Sequence, residues 1–224
     1  MRLFFLFLIF TFHLQIVNAQ KFSLGPRLGF NISQIRGMDY SLPRSGWDLG
    51  VLAVYKPCQH TGFSADLLLS SSGSRSRHSN ASGQVKESWD AYINMNYLRL
   101  PLLYNIYIGK DGCLFRPKVF AGISTGFLLS ARQSLKYSKE DNLIIVDSSS
   151  DKNISNQFRK LDMGLVAGSG FSYQMNRQVF FNFDVRYQYG IQNMMTARSS
   201  NTSNTDPWHS QNIFFLFGVA YSIK

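Results

Sequence analysis

The sequence predicts an all-β fold, an eight-stranded antiparallel up-and-down transmembrane β-barrel. Three observations favour it. Apolar and polar residues alternate along eight segments of the chain. Most of these segments are 9–13 residues long, which is enough for the roughly 9–11 residues that a tilted strand needs to cross a bilayer. Long and short connections alternate between them, as they do in barrels that present apolar residues to lipid and polar residues to the interior.

The alternation is clearest in residues 179–190, VFFNFDVRYQYG. One face of this segment is apolar or aromatic, and the other carries Asn182, Asp184, Arg186 and Gln188. Successive side chains of a strand point to opposite faces, so this pattern indicates a strand between an apolar and a polar environment. The eight predicted strands are 21–33, 47–55, 63–70, 96–108, 118–130, 161–173, 179–190 and 212–223.

The connections between these strands differ in length according to their position. The first, third, fifth and seventh are long and polar, at 34–46, 71–95, 131–160 and 191–211. The others are short, at 56–62, 109–117 and 174–178. Because successive strands run in opposite directions, we expect the long connections at one end of the barrel and the short turns at the other. Outer-membrane barrels show this asymmetry.

The polar faces of the predicted strands carry four basic and four acidic residues. Buried ions are stable only when they are paired, so these residues predict a network of ion pairs inside the barrel. Glycines on the same faces leave space in an interior that eight strands make just wide enough for side chains. The eight residues are Arg27, Asp48, Asp66, Arg99, Lys118, Asp162, Asp184 and Arg186.

Adjacent strands offer opposite charges, which predicts the partners within this network. We expect Arg27 to pair with Asp48, Asp66 with Arg99, and Lys118 with Asp162. A proline inside a strand removes a hydrogen bond of the ladder and is typical of a bulge. The 96–108 strand contains Pro101 and is therefore expected to bulge at that residue.

The first 19 residues have the pattern of a cleaved signal peptide. A positive start precedes an apolar stretch too short to span a membrane, and small residues precede Gln20. This leaves one domain, 20–224, in the bacterial outer membrane. The formal net charge of the chain is +10. An exported protein rarely meets nucleic acid, so we expect membrane lipids or lipopolysaccharide as the anionic neighbours, with simple solvation of the basic residues as the alternative.

Two motifs resemble those of the PorT-like outer-membrane β-barrel proteins. The first strand matches a G-x-x-x-G-x-N-x-S pattern through Gly25, Gly29, Asn31 and Ser33. The strand 96–108, NYLRLPLLYNIYI, contains a Y-L-x-[IL]-P-L-L pattern. The resemblance implies an eight-stranded barrel in the outer membrane. For the namesake branch it also implies a role in the export of proteins to the cell surface.

The sequence offers little that indicates catalysis. Cys58 and Cys113 both fall in short turns at one end of the barrel, in an oxidising compartment, so they are either joined in a disulfide or independent thiols. Their spacing does not fit a zinc site. No predicted strand contains a histidine. We therefore assign no catalytic, metal-binding or cofactor-binding residue and do not expect an enzyme.

Basic residues near the bases of the long connections indicate a surface that meets lipopolysaccharide phosphates, with solvated loops as the alternative. The expected function is that of a structural or accessory component in protein secretion or envelope assembly, which acts on protein partners through the surface loops. A small solute pore and a soluble lipocalin-like carrier are the alternatives. The basic residues are Arg75, Arg77, Arg132, Lys136 and Lys139.

Overall fold

The computed structural model describes residues 21–37, 41–82, 85–110, 113–141, 144–195 and 207–223. The predicted signal peptide, 1–19, lies outside these residues. Within these residues, ten strands and one 3-10 helix, Ser155–Gln157, make up the regular structure. In chain order the strands are β1 (Lys21–Arg36), β2 (Ser41–Leu42), β3 (Arg44–Lys56), β4 (Thr61–Ser82), β5 (Val85–Tyr107), β6 (Phe115–Asp141), β7 (Ile144–Asn153), β8 (Leu161–Gln174), β9 (Val179–Gly190) and β10 (His209–Ile223).

Eight of these strands form a closed antiparallel ring, which confirms the predicted fold class. The order around the ring is β1, β3, β4, β5, β6, β8, β9 and β10, and β10 pairs with β1 to close it. Two strands lie outside the ring: β2 pairs with β4, and β7 pairs with β6. In the described part of the chain, no helix is long and apolar enough to cross a membrane.

The register of the ladders sets the tilt of the strands. A path that starts at Phe22 and follows paired residues once around the ring returns to β1 at Ile32, ten residues further along the strand. With a rise of about 3.3 Å per residue and a strand spacing of about 4.8 Å, this stagger gives a tilt of about 40°. The path passes through Tyr55, Phe63, Tyr104, Ala121, Ala167, Tyr187 and Ile213.

The two faces of each ring strand differ as the alternation predicts. Leu28, Trp47 and Leu165 point outward and are each more than half exposed, whereas the inward neighbours Arg27 and Asp48 are buried. Apolar side chains also enter the interior, where Leu68, Phe214 and Leu216 form one of several small clusters. The interior is therefore a mixture of ionic and apolar groups rather than a purely polar face.

The prediction that 71–95 and 131–160 are loops is wrong for most of their length. In the structure β4 and β5 continue as a hairpin to Ser82 and Val85, and β6 and β7 form a second hairpin beside it. We call these parts of β4, β5, β6 and β7 beyond the barrel the outer sheet. The sequence of the outer sheet shows little alternation of apolar and polar residues, because polar residues such as Ser, Arg and Lys lie on both of its faces.

The bulge predicted at Pro101 is also misplaced. The β5–β6 register shifts between Asn96 and Tyr97 instead, and Pro101 stays paired with Ser124 of β6. On its other side, the β4–β5 ladder passes from Ala65–Leu102 directly to Leu68–Arg99. The proline therefore interrupts one ladder of its strand and leaves the other regular, since only one neighbour would have accepted its missing N–H.

Candidate functional site: the barrel interior and the outer sheet

The structure places all eight predicted interior charges inside the barrel, where each is 1–3% exposed. Five of them form one central cluster. Arg27 donates hydrogen bonds to Asp66 (3.1 Å between Nη1 and Oδ1) and to Asp184. Arg186 binds the same two carboxylates at 2.5 and 3.0 Å, and the Nζ atom of Lys118 lies 2.7 Å from Asp184 Oδ1. The cluster holds three cations against two anions.

A second ion pair lies nearer the end that carries the outer sheet. Arg99 Nη1 is 3.3 Å from Asp162 Oδ2, and the Arg99 guanidinium lies 4.5 Å from the centre of the Tyr97 ring. Ser210 donates to Asp162 at 3.2 Å. Asp48 forms no ion pair among the described residues, and its carboxylate accepts a hydrogen bond of 2.8 Å from Asn31.

The partners predicted from adjacent strands are therefore wrong, and the glycines explain why. Lys118 of β6 is paired in register with Gly170 of β8, which is paired with Asp184 of β9. Because Gly170 has no side chain, the lysine passes over β8 and reaches the second strand. Arg99 reaches Asp162 across Gly126 in the same way. A span of two strands is about 10 Å, which a long basic side chain and the aspartate side chain that meets it cover together.

An apolar cluster closes the interior at the end where the outer sheet leaves the barrel. We call it the cap. Tyr97 and Met95 of β5 meet Ile35 of β1 in it. Backbone hydrogen bonds tie it to the later connections, from Ile154 N to Ala131 O at 3.0 Å and from Met194 N to Trp208 O at 2.9 Å. Its buried members are Ile35, Ile93, Met95, Tyr97, Ala131, Ile154, Phe158 and Met194.

The sequence does not predict the cap, although part of its pattern is present. Ile93, Met95 and Tyr97 alternate with polar residues in 91–97, a pattern that extends the predicted strand upstream. Ile154 and Phe158 lie in a polar connection without any periodic neighbours, so nothing local marks them as buried. Their burial depends on the contact with β6, which the sequence does not display.

The basic residues predicted near the loop bases lie on the outer sheet, and they differ in their partners. Arg75 and Arg77 both bind Asp90, at 3.0 and 2.9 Å. The hydrogen bond from Arg77 lowers the pKa of Asp90, so this carboxylate is ionised at neutral pH. Arg132 and Lys136 line a cleft on the outer sheet. The side chain of Lys139 lies outside the described residues.

Other candidate groups show no assembled site. Cys58 and Cys113 lie in the β3–β4 and β5–β6 turns, where both are exposed free thiols, so the disulfide stays a prediction. His209 lies at the start of β10 and its Nδ1 is 3.0 Å from the backbone oxygen of Gly190. In the part of the chain that the structure describes, no group of three His, Cys, Asp or Glu residues is placed to hold a metal ion.

The outward apolar side chains of the ring strands, such as Leu28, Leu49 and Leu165, form an exposed apolar belt. Such a belt indicates a nonaqueous surrounding, because soluble proteins rarely expose large contiguous apolar patches. A family model of the outer membrane protein beta-barrel domain matches residues 18–196. The chain belongs to this family. The protein is therefore an outer-membrane β-barrel of a bacterium, with its apolar belt against lipid and its ion pairs inside.

Several solved outer-membrane proteins are similar to this barrel. A major outer membrane protein from Thermus thermophilus is 16% identical, with 92% of this chain and 100% of that chain covered and a TM-score of 0.47. Escherichia coli outer membrane protein W is 16% identical over 92% and 100%, with a TM-score of 0.41. The N-terminal barrel of Pseudomonas aeruginosa OprF is 14% identical over 89% and 99%, with a TM-score of 0.39. No curated protein matches the chain.

Proposed function

We propose that this barrel is a non-catalytic and non-conducting protein of the PorT-like type that serves protein secretion or envelope assembly. Its rigid outer sheet would be the surface that binds a protein partner. The observation that carries the proposal is the combination of a filled interior with a long sheet beyond it. Val85 lies twelve residues before Tyr97 on β5, about 40 Å along an extended strand. The two PorT-like motifs, in β1 and β5, support the same branch.

The filled interior argues against the alternative of a solute pore. The central cluster and the cap lie one above the other along the barrel axis. A void lined by Arg99, Pro101, Gln188 and Phe214, among others, measures about 10 Å³, which is close to the volume of one water position. Solute channels are built from about 16–18 strands.

We expect the purified protein to give no steady conductance in planar lipid bilayers at physiological salt. The ion pairs and the cap would both have to open before hydrated ions could pass. The measurement is single-channel current recording over a range of voltages, with detergent alone and a 16-stranded porin as controls. A reproducible ohmic conductance would contradict the proposal and favour the pore.

The face of the outer sheet that continues from the cap offers a surface for a partner. Trp89 and Tyr137 lie opposite each other on β5 and β6 with ring centres 5.4 Å apart. Leu135 lies opposite Ala91 on the same face, and Trp89 and Leu135 are 40% and 45% exposed. Exposed aromatic side chains on a rigid scaffold are typical anchors of protein interfaces.

We expect a strain that lacks this protein to lose specific proteins from its surface profile, and the wild-type gene to restore them. The variant Trp89→Ala/Leu135→Ala should be inserted normally but fail to restore the profile, because it loses the aromatic and apolar contacts of the outer sheet. The control Leu129→Ala removes an apolar side chain that is 58% exposed on β6 at the barrel itself. An unchanged profile in the deletion strain would overturn the proposed role.

A further inference from the structure

The outward face of the outer sheet continues the lipid-facing surface of the barrel. On β5, Leu102 and Leu100 face outward in the barrel, and Asn94 and Tyr92 lie on the same side further along the strand. Asn94 is paired with Arg132 of β6, and Tyr92 is paired with Ser134. On β5 and β6 this face therefore continues from the outward face of the barrel strands.

A basic cleft of about 340 Å³ lies between this face and the side chain of Arg44 on β3. Three cations, Arg44, Arg132 and Lys136, line it together with one anion, Asp151. The register brings Arg132 opposite Asn153, and Lys136 opposite Ser149, on the β6–β7 ladder. Tyr92, Asn94 and Ser134 complete the lining with neutral polar atoms.

The cations of the cleft retain donors for a ligand. Arg44 uses Nη1 to bind the backbone oxygen of Ile93 at 3.1 Å, which fixes the guanidinium against β5 and leaves its other N–H groups. Within the described ranges, Arg132 and Lys136 make no ion pair. Two cations lie near the ring of Tyr92. Lys136 Nζ is 5.9 Å from the ring centroid, and the Arg75 guanidinium is 5.1 Å from it.

We propose that this cleft binds phosphate groups of the lipopolysaccharide around the barrel. Asn94 lies four residues beyond the half-buried Leu98, about 13 Å along the strand. For a strand tilted by about 40°, this puts Asn94 about 10 Å further along the barrel axis than Leu98. At this height the cleft would meet the headgroups and inner sugars of lipopolysaccharide rather than its acyl chains. Arginine forks and a lysine ammonium recognise phosphate by charge-assisted hydrogen bonds.

This inference goes beyond the proposed function and does not rest on it, because a barrel with or without a secretion partner could carry the cleft. The test is binding of lipopolysaccharide to the purified protein in detergent, measured by titration calorimetry. The variant is Arg132→Gln/Lys136→Gln. The matched control is Lys152→Gln/Arg159→Gln, which removes the same charge at two exposed residues. Lys152 lies opposite Gln133, on the other face of the outer sheet.

We expect the cleft variant to bind lipopolysaccharide at least about tenfold more weakly than the wild type, because hydrogen bonds between a cationic side chain and a phosphate are among the strong hydrogen bonds of proteins. The control should bind like the wild type. Lipopolysaccharide stripped of its phosphates should bind weakly to all three proteins, and inorganic phosphate should compete only at far higher concentration. The shift in gel mobility on heating verifies that each variant is folded.

Three results would overturn the proposal. Equal loss of affinity in the cleft variant and the control would indicate attraction to the whole basic protein rather than to the cleft. Unchanged affinity of the cleft variant would place the lipid elsewhere. Inorganic phosphate that binds as tightly as lipopolysaccharide would identify a site for free phosphate instead of a lipid site. Neither these results nor their opposites bear on the surface-protein profile that tests the proposed function.

Discussion

Replacing Asp184 with asparagine is expected to destabilise the folded barrel by about 3–5 kcal/mol. Asp184 contacts Arg27, Lys118 and Arg186, so its carboxylate neutralises more of the central cluster than any one pair would. In the variant, Asp66 would be the one carboxylate of the central cluster left to neutralise its three buried cations. Asparagine keeps the size of the side chain, so the loss of charge rather than of packing determines the effect.

The measurement is the free energy of unfolding in detergent micelles by denaturant titration, together with the temperature at which the folded band disappears on a gel. Asp151→Asn, the same change at an exposed carboxylate, should leave both values within experimental error. The double variant Lys118→Met/Asp184→Asn should recover part of the loss, because it removes a cation along with the anion. Wild-type stability of Asp184→Asn would disprove the central role of the ion cluster.

An arginine in place of Phe217 is expected to cost about 2–4 kcal/mol in a lipid bilayer. Phe217 lies midway along the outward face of β10, and its ring packs against Phe183 with centroids 5.0 Å apart. A guanidinium at this depth would have to enter the hydrocarbon core or distort the strand. The control is Ile223→Arg at the end of the same strand, where a charge reaches water and costs about 0–1 kcal/mol.

The free-energy cost of each arginine variant is measured from the equilibrium between folded and unfolded protein in lipid vesicles. The depth dependence is the decisive part, because a general effect of arginine on the fold would act similarly at both residues. A spin label gives an independent check: it should report lipid at Phe183 or Phe217 and a buried environment at Asp184. Bulk water at Phe217 would be the result for a soluble lipocalin-like carrier, whose outer face is polar, and would rule out the membrane fold.

The strand boundaries inside the barrel were predictable, but those above it were not. The predicted 179–190 agrees with β9, because both faces of this strand keep a constant environment along its whole length. β4, by contrast, leaves the barrel after Ser70 and continues through SSGSRSRHSNAS, where neither face is consistently apolar. Its strand form there follows from pairing with β5, a contact that no local pattern reports.

The sequence by itself determined the eight ring strands, the side of each that meets lipid and the set of ionic residues that turns inward, because a period of two is a property of each strand alone. Only the tertiary structure decided which ions meet. The stagger of ten residues around the ring and glycines such as Gly170 and Gly126 carry basic side chains past the adjacent strand to the next one. The cap and the basic cleft likewise bring together residues far apart in sequence, such as Ile35 and Ile154 in the cap and Arg44 and Arg132 in the cleft.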